Sequence, residues 1–251
     1  MKLFQYWDTG EPPQDVAGWV EGFRVKNPEM QHRLYDRDRA SWFIGKHFSE
    51  RERRAFDALA VPAMQADYFR LCALVAKGGV WFDADCLPGR PLSTLIARAP
   101  SLLLVLLDGA IINSTLIARR PGSPFLTACL GAATRIIEGR LFGDAIRLIA
   151  VPSVAGPGLL TAAWFVGAPE WPRAGPLGRC PDPPPVWSVA ERLIDASPAF
   201  RASVSAATFL HLYTVEKWGR PTAPSYKDGP RHGMRWQGSV YLDDPTSALA
   251  V

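Results

Sequence analysis

The chain has 251 residues, 48% of them hydrophobic, and a mean hydropathy of -0.01. That length suits one large α/β domain or two small ones, and the apolar content is enough for a core, which excludes a disordered chain. The net charge of +4 and isoelectric point near 9.0 favour anionic ligands, anionic lipid headgroups or a polyanionic acceptor, and are too weak to argue for nucleic-acid binding by themselves.

No apolar stretch approaches the ~20 residues a helix needs to cross a bilayer; Ser101 to Leu107 is among the longest. The N-terminus lacks a signal-peptide apolar run and meets Asp8 early. The expected location is cytoplasmic, with peripheral attachment at the inner face of the membrane as a variant. Cys72, Cys86, Cys129 and Cys180 form no C-x-x-C pair and no disulfide framework.

In chain order, Lys2 to Trp7 reads as a strand broken by Asp8-Thr9-Gly10-Glu11-Pro12-Pro13. A helix follows over Asp15 to Lys26 and stops at Asn27-Pro28, because the residue before proline is pushed out of helical geometry. Gln31 to Tyr35 suits a second strand. Ser49 with Glu52 three positions on has the pattern of a capping box. Pro62 opens a helix that Lys77-Gly78-Gly79 closes, and Val80-Trp81-Phe82 continues as a strand. Ser101 to Leu107 suits a buried strand and Pro124 to Glu138 a helix. The Pro/Gly-rich region from Gly167 to Pro185 reads as a loop or insertion. An ordered piece is expected over Ala199 to Trp218, with a polar tail beyond. Alternating strands and helices argue for an α/β sandwich.

The chemistry concentrates in Asp67 and Arg70 and in Asp83-Ala84-Asp85. Asp67 and Arg70 are three apart on a helix and share a face. A carboxylate accepts hydrogen bonds from sugar hydroxyls, and a guanidinium donates several to hydroxyl or phosphate oxygens. The plain alternative is a surface ion pair worth about 0.3 kcal/mol. Asp83 and Asp85 follow an apolar strand, and strand alternation would point both carboxylates the same way, ~6.5–7 Å apart. Paired carboxylates suit Mg²⁺ or Mn²⁺, and open α/β sheets bind ligands at the carboxyl ends of their strands. An acidic turn is the alternative for a lone D-x-D. His32, His47 and His232 show no partner pattern.

Taken together, Ala66-Asp67-Tyr68-Phe69-Arg70, a short helix, Gly78-Gly79, an aromatic residue and Asp83-Ala84-Asp85 resemble the sugar-binding region of the DXD-containing glycosyltransferase family. That family includes yeast-type initiating mannosyltransferases and bacterial capsule and lipopolysaccharide enzymes, and is related to the glucosylating clostridial toxins. Phe4-Gln5-Tyr6-Trp7 resembles its opening strand. Asn113-Ser114 with Pro121-Gly122-Ser123-Pro124-Phe125, Gly156-Pro157-Gly158-Leu159-Leu160-Thr161, and His211 with Trp218 resemble later blocks. Ala66 replaces the family's usual Ser, and Trp81 its usual Tyr, so the sugar's identity does not carry over.

The resemblance implies a GT-A type α/β fold, a Rossmann-like mixed sheet flanked by helices. It would form one domain, with a nucleotide-sugar half at 1–107, an acceptor half at 108–218 and a tail at 219–251. It implies Asp85, Asp83 and His211 around Mn²⁺ or Mg²⁺, with Asp83, Asp85 and Asn113 at the reacting centre. Gln5, Trp7, Asp67, Arg70, Trp81, Asp83 and Asp108 would line a UDP-sugar or GDP-sugar donor. A loop acid is the plainer reading of Asp108. The expected acceptor is a saccharide, glycolipid or polysaccharide, with a protein or nucleic-acid base left open, and the family is thought to retain anomeric configuration. Two rivals stand beside this reading. One is another enzyme built on two carboxylates: a metal-dependent phosphohydrolase or nucleotidyltransferase, or a glycosidase needing no metal. The other is a sugar-nucleotide binder without activity.

Overall fold

The computed structural model describes residues 1–141, 153–168, 174–175, 178–179, 187–221 and 240–242. The expectations for Cys180 and His232, and for most of the Pro/Gly-rich region and the tail, lie outside the described residues. In chain order the elements are β1 (Lys2–Tyr6), α1 (Gln14–Lys26), β2 (Gln31–Tyr35), α2 (Arg37–His47), α3 (Glu50–Asp57), α4 (Pro62–Lys77), β3 (Gly79–Phe82) and β4 (Cys86–Pro88). Then come α5 (Ser93–Ala97), β5 (Leu102–Leu107), β6 (Ala110–Ala118), α6 (Pro124–Glu138), α7 (Pro157–Gly167), β7 (Ala174–Gly175), β8 (Gly178–Arg179) and α8 (Trp187–Leu193). The last four are α9 (Pro198–Ser205), β9 (Thr208–His211), α10 (Leu212–Val215) and β10 (Gly219–Pro221).

Six strands form the main sheet in the order β2-β1-β3-β6-β5-β9. The pairs β1–β2, β1–β3 and β5–β9 are parallel, while β6 runs antiparallel to both β3 and β5. Five strands therefore end at one edge of the sheet, with β6 starting there. Side-chain alternation splits the core in two. Phe4, Trp81, Leu102, Leu104, Leu106 and Leu116 face the layer of α2, α3, α4, α6 and α7. Leu3, Val80, Phe82, Leu103, Val105 and Ile117 face Phe23 of α1, Leu95 of α5 and Trp218. Strands covered on both faces are apolar almost throughout, which is why β3 and β5 read as continuous hydrophobic runs.

The mixed α/β sandwich is as expected, and several local signals hold. Ser49 and Glu52 form the capping box, Pro62 opens α4, and Gly78 ends it. Gly78 has φ 60 and ψ -176, a region open in practice only to glycine. Gly79 has φ +123, and a Cβ there would meet the Lys2 carbonyl oxygen at 2.7 Å. The glycine pair thus lets β3 start hard against β1. Helix α2 has no counterpart in the sequence reading. Its signals are a capping Asp36, which accepts from the Arg39 N–H, and three apolar residues, Ala40, Phe43 and Ile44. The tail is not all surface. Val240 and Tyr241 are buried, and the Ala60 N–H donates to the Val240 carbonyl at 2.9 Å.

Candidate active site

The site is built where β3 ends, between α4 and β6. Asp67 and Arg70 lie on the face of α4 turned towards the sheet, and both are buried, with Arg70 only 2% exposed. Arg70 Nη1 donates to Asp67 Oδ1 at 2.8 Å, and Nη2 donates to Asp83 Oδ1 at 2.5 Å. This overturns the surface ion pair alternative: helix periodicity puts the pair on one face, and packing puts that face inside. Trp81, fully buried, stacks against the Arg70 guanidinium at 4.9 Å and donates its indole N–H to Asp83 Oδ1 at 2.7 Å. Asn113 on β6 donates its amide to Asp67 Oδ1 at 2.8 Å.

One guanidinium therefore ties the helix acid to the first acid of D-A-D. Among the described residues, every side-chain hydrogen bond to Asp67 and Asp83 ends on Oδ1, leaving each Oδ2 for something else. Burial pushes the Asp67 carboxyl up to about 6 against the pull of Arg70, with the Asp83 charge adding to the rise. Asp83 is also raised, first by burial and then by Asp85, while Arg70 opposes.

The backbone around Asp83 departs from the extended geometry expected for D-x-D. The Asp83 N–H still continues the sheet by donating to the Ser114 carbonyl at 2.9 Å, but the Cys86 N–H closes a turn onto the Asp83 carbonyl at 3.1 Å. Ala84 and Asp85 sit in that turn, so strand alternation does not set the relation of the two carboxylates. Gln5, fully buried on β1, donates its amide to the same Asp83 carbonyl at 3.4 Å, and its Oε1 accepts from His32 Nε2 at 2.7 Å. Burial holds the His32 imidazole down to about 4, so it is neutral at pH 7. His32 is a part of this chain of bonds that sequence patterning gave no reason to select.

Trp7, half-buried just beyond β1, packs with Ala84, Val16 and Val20, which places it beside the D-A-D turn. Asp108 and His211 share the sheet edge but, among the described residues, neither hydrogen-bonds to the Arg70 network. Asp108 (φ 48) and Gly109 (φ 80) are the two central residues of the β5–β6 hairpin turn. Positive φ at both is the type I′ signature that favours Asp-Gly, and it explains this exposed acid without a ligand. His211 ends β9, pairs in register with Leu106, and caps α10, its Nδ1 accepting from the Tyr213 N–H at 3.4 Å. Trp218, the other half of that C-terminal block, is buried and donates to Thr94 Oγ1 at 2.8 Å. Among the described residues no three of His, Cys, Asp and Glu are gathered closely enough to hold a metal on their own.

A parallel-rich α/β sheet with acids gathered at its carboxyl edge, braced by one buried guanidinium, defines a polar ligand site of the open-sheet class. Residues 13–102 match the family described as glycosyltransferase sugar-binding region containing DXD motif. The initiation-specific alpha-1,6-mannosyltransferase of Schizosaccharomyces pombe is 26% identical over 98 residues, 37% of this chain and 25% of that protein. HOC1 of Saccharomyces cerevisiae is 27% identical over 99 residues, 38% of this chain and 24% of that protein. The chain thus spans about a quarter of the length of these curated relatives. Among solved structures, PaToxG glycosyltransferase shares the fold with a TM-score of 0.52 and 13% identity, covering 94% of this chain and 85% of that one. The fold is of the GT-A type expected from the sequence. No helix among the described residues is long and apolar enough to cross a membrane.

Proposed function

We propose that this chain is a metal-dependent glycosyltransferase that moves a sugar from a UDP- or GDP-sugar to a hydroxyl acceptor. The observation that carries the reading is the Asp67–Arg70–Asp83 bridge: the family's helix and D-x-D blocks meet around one buried guanidinium. A phosphohydrolase or nucleotidyltransferase would explain the D-x-D turn but gives no reason for Asp67 and Asn113 to be joined to it.

The residues suit Mn²⁺ or Mg²⁺. Three carboxylates (Asp67, Asp83, Asp85) stand against one guanidinium, and Asp67 and Asp83 are raised first by burial and then by the neighbouring acid, both of which a bound cation would offset. Hard divalent ions are commonly held by one or two carboxylates plus substrate phosphates, so a complete protein cage is not required. Asp85 and Asp83 would hold the ion, with His211 as a third ligand once it releases the Tyr213 N–H. When bound, the ion supplies Lewis-acid neutralisation of the charge growing on the leaving diphosphate.

The chain's own groups do the rest. Asp67 and Asp83 each turn one open oxygen towards donor hydroxyls, and Arg70, Trp81 and Asn113 keep those oxygens aimed. Gln5 and His32 hold the D-A-D turn from behind. Trp7 lies against the nucleotide base. Asp108 would reach donor or acceptor only from the hairpin tip. Retention of anomeric configuration is carried with the family resemblance, as are a donor half at 1–107 and an acceptor half at 108–218. A saccharide, free or on a lipid, is the preferred acceptor. Because one relative is an alpha-1,6-mannosyltransferase, mannose is the first donor sugar to try.

The test is release of free UDP or GDP from a panel of nucleotide sugars, with and without Mn²⁺. Metal-dependent release from one donor is expected. Asp85→Asn should lower it by roughly 10²–10³ or more while the far-ultraviolet spectrum stays unchanged. Wild-type activity in that variant removes Asp85 from the metal site. If nucleotides neither turn over nor bind with metal, the transferase reading fails.

A further inference from the structure

A second concavity lies away from the acids, on the outer face of α2 against α3. It has a volume of about 580 Å³ and is lined by Asp38, Ser41, Trp42, Gly45, Lys46 and Arg53. Asp38, Ser41, Trp42 and Gly45 follow the i, i+3, i+4, i+7 spacing of one helix stripe. Lone exposed apolar side chains are common and mean little. Here the context differs. Trp42 is 64% exposed although its neighbours Phe43 and Ile44 are buried, and the Lys46 ammonium lies 4.8 Å from its ring centroid. Gly45 opens the floor: a Cβ there would press on Arg53 Cδ at 3.0 Å. Glycine inside an exposed helix costs about 1 kcal/mol relative to alanine, so the space comes at the expense of helix stability. Arg53 is a fixed wall, its guanidinium tied to Glu50 and Asp57.

We propose that this groove is a second saccharide-binding subsite that takes a neutral hexose chain, with Trp42 as the stacking platform. The proposal rests on the transferase reading for the class of ligand. A neutral sugar needs an apolar face, hydrogen-bond acceptors and donors together; Trp42, Asp38, Ser41 and Lys46 supply all three. Of the two bases in the lining Arg53 is already paired with Glu50 and Asp57, and Asp38 offsets Lys46, so the surface lacks the net positive charge that would draw an anionic membrane. The groove's position also fits an acceptor chain. Helix α2 starts at the carboxyl edge of the sheet, where the Arg37 N–H donates to the Asp8 carbonyl beside Trp7. From Asp38 to Lys46 the stripe runs about 12 Å away from that edge, room for about two sugar rings.

The experiment is saturation-transfer NMR from the whole chain to mannotriose and to maltotriose. Transfer to at least one, with millimolar affinity, is expected, as is its persistence in Asp85→Asn. Trp42→Ala should lose at least tenfold in affinity with an unchanged melting temperature, and Gly45→Ala should weaken binding by narrowing the floor. Three results overturn the proposal: neither sugar binding up to ~20 mM, which corresponds to less than about 2.3 kcal/mol of binding; wild-type binding in Trp42→Ala; or Trp42-dependent co-sedimentation with phospholipid vesicles in place of sugar binding. Failure of every nucleotide sugar to turn over or bind sinks the transferase reading instead, and is scored in a separate assay.

Discussion

Asp67 stands in a medium that resists its charge. Its folded value of about 6 lies above the ordinary 3.8, so the protonated acid favours the fold. That contribution is complete below 3.8 and is lost as pH rises through about 6. Asp67→Asn is therefore expected to melt above the wild type at pH 7.5, with the gap closing towards pH 4, while donor turnover falls. Melts across that range check it. Trp81 carries a separate expectation. Trp81→Phe keeps the ring packing but removes the indole hydrogen bond to a partly exposed carboxylate, costing about 2 kcal/mol with the vacated volume included. It should also weaken metal-dependent nucleotide binding, because the Asp83 carboxylate then keeps only its hydrogen bond from Arg70; urea melts and a binding titration read the two effects apart. These roles differ in how far sequence reveals them. Asp67, Arg70 and D-A-D are legible because their types and spacing are those of ligand-binding polar groups. That Trp81 serves by donating to Asp83, and that His32 orients Gln5, depends on which way buried side chains turn, and no spacing encodes that.

At the scale of elements, the sharpest constraint is the junction between α4 and β3. Gly78 occupies glycine-only backbone space, and a Cβ would lie 2.7 Å from the Arg120 carbonyl carbon. Gly78→Ala should destabilise the fold by about 3 kcal/mol or more, combining strain with a collision against backbone that cannot move aside. Gly131, mid-way along α6 with nothing within 4 Å of an added Cβ, is the contrast. Gly131→Ala should stabilise by up to ~1 kcal/mol. Urea midpoints shifted in opposite directions at constant m-value are the expected pair of results. Elements with strong punctuation were readable: α4 from Pro62 to the glycine pair, α6 from Pro124, α3 from its capping box. Helix α2 was not, because its outward residues include Trp42 and Gly45, which blur the helical stripe. The D-A-D turn was misjudged as extended for a similar reason. Its conformation is imposed by the Cys86-to-Asp83 hydrogen bond and by Gln5, a residue 78 positions away.

For the whole molecule, the sheet is knit from contacts of very unequal reach. Strands β5 and β6 join through a two-residue turn, whereas β9, among the described residues, lies at the edge of the sheet and pairs only with β5, from roughly 100 residues further along the chain. A pairing of that span closes late in folding, and an edge strand is the easiest to detach. Amides of Thr208 to His211 should therefore exchange with deuterium faster than those of Val80 to Phe82, and bound metal with nucleotide should slow them if His211 joins the site. The consequence concerns order of loss. Asp67, Arg70 and Asp83 are fastened to the middle of the sheet, but His211 rides on its outermost and last-arriving strand. If His211 is the third ligand proposed above, warming this protein would strip it away while the braced acids stay in position, and metal-dependent nucleotide binding would fade at temperatures where the chain still scatters, absorbs and sediments as a folded body.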